Sequence, residues 1–498
     1  MEQDNKDNHL EVETSQTTST SNSNVNRGED EDSGVKYKFW NESKKIWVVA
    51  GPAIITRFSS FGLTVISQAF IGHIGSTELA AFSLVFTVFI RFANGIMMGM
   101  ASALQTLCGQ SYGAKIYHML GVYLQRSWII MTTTALLLVP VCFFISPIFK
   151  ALGQDKTVSE VAGHIGIWTI PGVFALVVSF TCQMFLQSQS RNVVIGYLAT
   201  FALIIHILLS WLLTVKFKFG IPGVMVALIT SYWIPNVGQL LFVLCGGCPE
   251  TWKGFSTLAF KDLWGMIKLS LSSGVMLCLE LWYNAVLILL TGNMENAEVA
   301  IGALGICLNL YGWELMISMG FLAASGVRVS NELGRGSPKG AKYSVVVLLI
   351  TSITIGFLFF LLFLSLRGKF AYIFTDNEEV AKGVADLSPL LAFSILMNSI
   401  QPVLSGVAIG TGRQKVVACI NITCYYVVGV PVGVVLGYVL DLQVKGVWMG
   451  MLFGTLVQTL VLIIVTYRTD WDKQMSNARN RVDKWTRTDP QESNPNSS

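Results

Sequence analysis

Charge is what this chain has least of. Only 13% of its 498 residues are Asp, Glu, Lys or Arg, while 52% are hydrophobic, and the mean hydropathy is +0.57. A soluble domain carries about 25% charged residues. Too few charges are present here to coat a water-facing surface of this size. Apolar surface must therefore face lipid, and length does not convert into a number of soluble domains. Also missing are the motifs of chemistry. No Gly-x-x-x-x-Gly-Lys-[Ser/Thr] run occurs, which excludes a nucleotide engine in this chain. No His-Glu-x-x-His, Gly-x-Ser-x-Gly or paired intramembrane aspartates are found, so no nucleophile–base or metal constellation supports an enzyme. The five histidines (9, 73, 118, 164, 206) are scattered, and no metal cage or cofactor is expected. Cys245 and Cys248 form a lone CxxC beside Gly246 and Gly247, which reads as a loop boundary. The other cysteines sit mostly in apolar runs, where the thiol packs as a small hydrophobe. A net charge of +4 with no basic stripe interleaved with aromatics excludes nucleic acid as a partner. No signal peptide is visible, so the first spanning helix is expected to direct insertion.

Long hydrophobic runs are abundant. Stretches of about 18 or more predominantly apolar residues predict spanning helices near 46–69, 79–104, 120–145, 165–187, 193–215, 221–245, 267–291, 299–324, 343–366, 386–410, 415–439 and 443–467. Residues 1–45, rich in Ser, Thr, Asn and acids, are expected to form a disordered tail. Residues 247–266 read as an amphipathic linker on the membrane surface, and 468–498 as a polar tail. An even number of spans puts both termini on one side. Lys and Arg outnumber those of the opposite loops on that side by twelve to eight before the tails are counted, so both termini are expected in the cytosol.

The halves repeat. Glu78-Leu-Ala matches Glu298-Val-Ala at an offset of 220 residues, and Gly109-Gln-Ser-Tyr-Gly113 matches Ser330-Asn-Glu-Leu-Gly334 at 221. Ser190-Arg191 matches Gly412-Arg413 at 222, and Gly223-Val matches Gly446-Val at 223. Six spans per half insert the same way up. The expected fold is an all-α membrane protein of about twelve transmembrane helices in two pseudo-twofold-related six-helix lobes, 46–246 and 267–467. Rocking of one lobe against the other is a transporter architecture.

An ionisable side chain within a span costs about 2.5–3.5 kcal/mol on insertion scales, so a functional role is its default. Glu280 lies mid-span with Tyr283 and Asn284 one turn on, sharing its helix face. A carboxylate removed from water favours its protonated form and can cycle a proton, which makes Glu280 the candidate coupling residue. Asn309 and Trp313 in the eighth span, with Asn398, Gln401 and Ser405 in the tenth, place further polar and aromatic groups at mid-membrane depth. Tyr283, Asn284, Asn309, Trp313, Asn398 and Gln401 are the candidate cavity lining for a drug-sized ligand. Interhelical bonding is the alternative role for each amide. Glu314 is turned away from Asn309 by about 140°; it and Arg57 are further candidates. Arg57 and Arg91 have no acid in their own spans. Arg57 and amide dipoles would also suit an anion channel or anion transporter, the alternative reading of the chain.

Several stretches carry a family resemblance. Pro52-Ala-Ile-Ile-Thr-Arg-Phe through Gln68-Ala-Phe-Ile-Gly72, Ala103-Leu-Gln-Thr-Leu-Cys-Gly-Gln-Ser-Tyr-Gly-Ala-Lys115, Phe185-Leu-Gln-Ser-Gln189, Val327-Arg-Val-Ser-Asn-Glu-Leu-Gly334 and Leu404-Ser-Gly-Val-Ala-Ile-Gly-Thr-Gly412 resemble multidrug and toxic compound extrusion (MATE) transporters. The wording is closest to the plant subgroup associated with vacuolar flavonoid loading. The resemblance implies a monomeric membrane antiporter, with the proton as its coupling ion. It would export plant secondary metabolites such as flavonoids or alkaloids, and xenobiotics, across the vacuolar or plasma membrane. The resemblance also puts a key glutamate on the seventh helix, at Glu280. Where eukaryotic relatives often have a second carboxylate on the tenth helix, this chain has Asn398. The acid that some animal members carry on the eighth helix is Asn309 here. The first-helix aspartate of prokaryotic relatives has no counterpart. These departures point to one main proton site, in the second lobe, and to a pocket for neutral or anionic compounds.

Overall fold

The computed structural model describes residues 20–261, 263–291, 297–374 and 377–486. Among the described residues, twelve helices are long and apolar enough to cross a membrane. They are α1 (Lys36–Gly72), α2 (Ser76–Gly113), α3 (His118–Phe143), α4 (Ile170–Ser188), α5 (Val193–Lys216), α6 (Gly220–Gly247), α7 (Leu263–Tyr283), α8 (Gly302–Gly334), α9 (Pro338–Ser365), α10 (Glu378–Thr411), α11 (Gln414–Val439) and α12 (Gln443–Tyr467). No strand occurs among the described residues. Helix is the economical answer in lipid, because each segment satisfies its own backbone hydrogen bonds.

Three expectations are corrected at the ends and the junction. The tail was expected to be irregular to residue 45, but the helix containing α1 begins at Thr20. Once a span has nucleated a helix, each further residue adds one hydrogen bond, so the helix propagates into a sequence of weak propensity. Residues 1–19 lie outside the described part. The tail after α12 contains a helix, Trp471–Thr486, on which Trp471, Met475, Ala478 and Val482 recur at helical spacing. The expected surface linker 247–266 is shorter and bonded inward. Gln125 of α3 donates to the Gly254 carbonyl at 2.9 Å, and the Arg126 guanidinium to the Leu258 carbonyl at 3.0 Å. The seventh helix accordingly starts at Leu263.

The described residues from 46 onward pack as one compact unit, and those up to 45 form a separate one. Within the larger unit the two halves meet in reciprocal pairs. Gly113 of α2 abuts the Asn331 carbonyl, and its repeat partner Gly334 of α8 abuts the Gln110 carbonyl. Gln110 donates to the Gly410 carbonyl at 3.0 Å, and Asn331 to the Ser188 carbonyl at 3.2 Å. Within each half, Arg191 bonds the Gly247 carbonyl, and its counterpart Arg413 bonds the Thr469 hydroxyl. Each contact maps onto its counterpart with an offset of 221 or 222 residues. That is the signature of an isologous, twofold-type interface. The glycines are there because the helix backbones touch and a side chain would separate them.

One break positions the site. The tenth span comprises two helices, Glu378–Asn398 and Gln401–Thr411. Pro402 has no N–H to give the Asn398 carbonyl, and its ring opposes a continuous turn there. The side chains of Asn398 and Gln401 therefore flank a break in mid-span.

Candidate functional site

The second half holds an open cavity of about 740 Å3, the space of its mouth included. Glu280, Tyr283, Asn398 and Gln401 line it, together with Tyr311, Met319, Tyr425 and Trp448. Helices α7 and α10 supply Glu280, Asn398 and Gln401, and aromatics of α7, α8, α11 and α12 make the walls.

Glu280 projects from α7. Ser405 of α10 donates to its carboxylate at 3.4 Å, and Gln401 donates to the Ser405 hydroxyl at 3.0 Å. No cation is paired with Glu280 among the described residues. Tyr283 is held one turn away. Its hydroxyl donates to the Met451 carbonyl at 2.9 Å, and its ring stacks on Tyr425 at 4.2 Å. Gly429 and Gly454 make room for that ring, since a Cβ at either would strike its hydroxyl. Tyr283 is thus a wall residue fixed by packing.

Glu314 is the buried carboxylate behind this wall, with 5% exposure. Ser318 donates to one of its oxygens and Asn398 to the other, both at 2.6 Å. Donors to both oxygens meet the hydrogen-bonding demand of a buried acid. Asn398 and Gln401 therefore tether two acids, Glu314 directly and Glu280 through Ser405, to the broken segment of α10. Glu314 is thus held by an amide–hydroxyl clasp. The pairing crosses helices 84 residues apart, so no spacing rule reveals it.

Two expected lining residues fall elsewhere. Asn309 is exposed and its amide donates to the Gly305 carbonyl of its own helix at 3.0 Å. Trp313, 48% exposed, packs between Phe58 and Phe61 of α1 at 5.8 and 5.6 Å. The cavity face of α8 carries Leu308, Tyr311, Leu315 and Met319. Asn309 follows Leu308, and one residue is a turn of about 100°, which takes it and Trp313 off that face toward the first half. Asn284 lies on the continuation of the α7 helix, which runs from Leu263 to Thr291, but its side chain is outside the described residues. Tyr311, Tyr425 and Trp448 are lining residues the pattern analysis missed; the aromatic content of these spans was their one visible signal.

The first half is built differently. Arg57 lies over the Phe180 ring at 5.8 Å, a cation–π contact, and Arg91 is exposed. His206 is fully buried against the Ser67 hydroxyl at 3.1 Å. No carboxylate pairs with either arginine among the described residues.

This chain is similar to known proteins over nearly its whole length. The MatE family model matches residues 52–212 and again 273–435, once in each half, with starts 221 residues apart. Protein DETOXIFICATION 21 of Arabidopsis thaliana is 61% identical over 452 residues, 91% of this chain and 92% of that protein. Protein DETOXIFICATION 20 of the same plant is 58% identical over 465 residues, 93% and 95% of the two chains. The crystal structure of the eukaryotic MATE transporter AtDTX14 superposes with a TM-score of 0.85 at 31% identity, over 89% of this chain and 99% of that one.

Proposed function

Since this chain belongs to the multidrug and toxic compound extrusion family of membrane transporters, we propose that it is a proton-coupled antiporter. In this reading it exports small organic compounds, such as flavonoids, alkaloids or xenobiotics, from the cytosol by alternating access. The protein is a multi-pass membrane transporter and not an enzyme. It acts as a monomer in the vacuolar or plasma membrane with both termini in the cytosol.

The observation that carries this reading is Glu280 at the wall of the cavity, bonded to a neutral hydroxyl and unpaired with any cation among the described residues. A carboxylate in such surroundings bears the cost of an uncompensated charge, which a proton removes. Protonation also ends its need for a donor from α10, and so frees the cavity wall to rearrange around cargo. Tyr283, Tyr311, Tyr425 and Trp448 offer flat apolar faces to an aromatic compound. Asn398 and Gln401 supply amides at the wall. The coupling suffices energetically: about two pH units are worth about 2.7 kcal/mol, and one-for-one exchange then sustains about a hundredfold accumulation.

The test uses proteoliposomes of known orientation with an acidic interior, and follows uptake of a flavonoid and alkaloid panel. Uptake should collapse with a protonophore and with Glu280→Gln at equal protein abundance. Anion current that follows voltage and ignores the pH gradient would replace this reading with the anion channel built on Arg57.

A further inference from the structure

The isologous crossing of α2 and α8 departs from symmetry at the helix Trp471–Thr486. Gln110 and Asn331 are repeat partners. Each donates its amide to a helix-end carbonyl of the opposite half. Their oxygens differ. The Asn331 side-chain oxygen is buried and has no hydrogen-bond partner among the described residues. The Gln110 oxygen accepts from the Arg481 guanidinium at 2.8 Å.

Arg481 belongs to the second half by its packing. Its helix docks Trp471, Met475 and Ala478 against Val329 and Leu333 of α8, Ala341 and Val345 of α9, and Val407 of α10. The guanidinium lies against Gly412, the left-handed residue that ends α10. A Cβ there would sit 2.6 Å from both terminal nitrogens, so Gly412 provides the turn and also the slot for the cation. Gln110, however, belongs to α2, in the first half. One charged side chain thus reaches across the junction between the halves. The same junction must open if the lobes rock apart at this face.

The C-terminal helix has a repeat counterpart that does something else. Arg191 and Arg413 hold equivalent points, Gly247 and Thr469, just before the chain leaves each half. After Gly247 the chain runs into the linker, which bonds Gln125 and Arg126 of α3 in its own half. After Thr469 it forms a helix whose arginine bonds the other half. The strap is an addition to the symmetric plan.

We propose that the helix Trp471–Thr486 is a latch, in which Arg481 clasps Gln110 to hold the two halves together at this face and so sets how readily the face opens. A charge-assisted bond is about twice as strong as a neutral one, and this one is made in the closed arrangement. Arg481 is a positioning residue, remote from the cavity, and its proposed role does not depend on which ion or compound is carried.

Hydrogen–deuterium exchange of the full-length protein in lipid nanodiscs tests this, comparing wild type with Arg481→Ala and Arg481→Lys. Arg481→Ala should speed exchange about tenfold, the effect of about 1.4 kcal/mol, in the ends of both α2 (105–113) and α8 (326–334). Arg481→Lys should fall between that variant and wild type. Exchange in the middle of α9, away from the junction, should be unchanged. A merely local role would speed exchange within 471–486 and leave α2 untouched. Unchanged exchange at the end of α2 in Arg481→Ala overturns the latch, whether or not the helix itself stays docked. Deletion of residues 471–498 must give the same increase at α2 as Arg481→Ala or a larger one. A smaller increase also overturns it.

Discussion

The two halves share one scaffold and differ in what they bury. In the second half Gln401 donates to Ser405 at 3.0 Å, and in the first half Gln183 donates to Ser179 at 3.0 Å. With the offset of 222 residues that relates α4 to the end of α10, these are the same two positions with glutamine and serine exchanged. The neighbour they serve is different. Ser405 donates onward to Glu280. At the offset of 220 that relates α1 to α7, Glu280 corresponds to Ser60, whose hydroxyl donates to the Thr56 carbonyl of its own helix. One half therefore tethers an acid where the other tethers nothing. A duplicated bundle supplies two potential sites, and substitution at one position decides which of them carries a titrating group.

Glu280→Gln should have the largest effect, abolishing gradient-driven uptake while binding of cargo persists. Retained coupling would make the two halves equivalent and the comparison empty. Next come Gly113→Leu and Gly334→Leu, each of which drives a side chain into a carbonyl of the opposite half. Overpacking of this kind costs about 1–3 kcal/mol. The two variants should lower the thermal midpoint to a similar degree, because the contacts are reciprocal; tolerance of one and not the other would break the symmetry. Gln401→Leu removes the donor that orients Ser405 beside a carboxylate. Losing a neutral hydrogen bond worth about 0.5–1.5 kcal/mol should slow coupled exchange by up to about tenfold, while Gln183→Leu should leave the rate near wild type. Equal slowing by both would assign the first half a share in coupling.

Glu314→Gln should be milder than Glu280→Gln. The amide still accepts from Ser318, and Asn398 can turn its oxygen toward the new N–H. Coupled uptake should persist at a reduced rate, and its complete loss would move the coupling site to α8. Asp155→Ala should have the smallest effect. Asp155 begins the helix Lys156–Trp168, and its carboxylate is held below the ordinary range by the hydrogen bonds of Thr157, side chain and backbone, and the Val158 N–H. A depressed carboxylate stabilises the fold above its unfolded-state value of about 3.9 and loses that contribution as pH falls through its lower folded value. The variant should therefore melt slightly below wild type at pH 7, and the gap should close in acid.

The repeat was readable before the structure because glycine and arginine recur at fixed offsets, with an amide of Gln110 answered by one of Asn331. Those are the residues that reciprocal backbone contact requires. Glu280 was readable too, since an acid in an apolar run stands out on cost alone. What escaped was rotation and tertiary pairing. Asn309 shares its depth with the cavity but sits one residue past Leu308, and mid-membrane depth says nothing of facing. The Glu314–Asn398 clasp needs α8 and α10 side by side. The C-terminal helix escaped because its charged residues lower mean hydropathy, although Trp471, Met475 and Ala478 form a stripe that was there to be read.

The central claim is that the second half carries the proton at Glu280. Its most direct test is counterflow. Liposomes loaded with a pH dye at acidic pH receive a transported flavonoid or alkaloid from outside, and proton efflux is read against cargo uptake. The account predicts cargo-dependent efflux from wild type and none from Glu280→Gln. Equal cargo-dependent efflux from both proteins would contradict it.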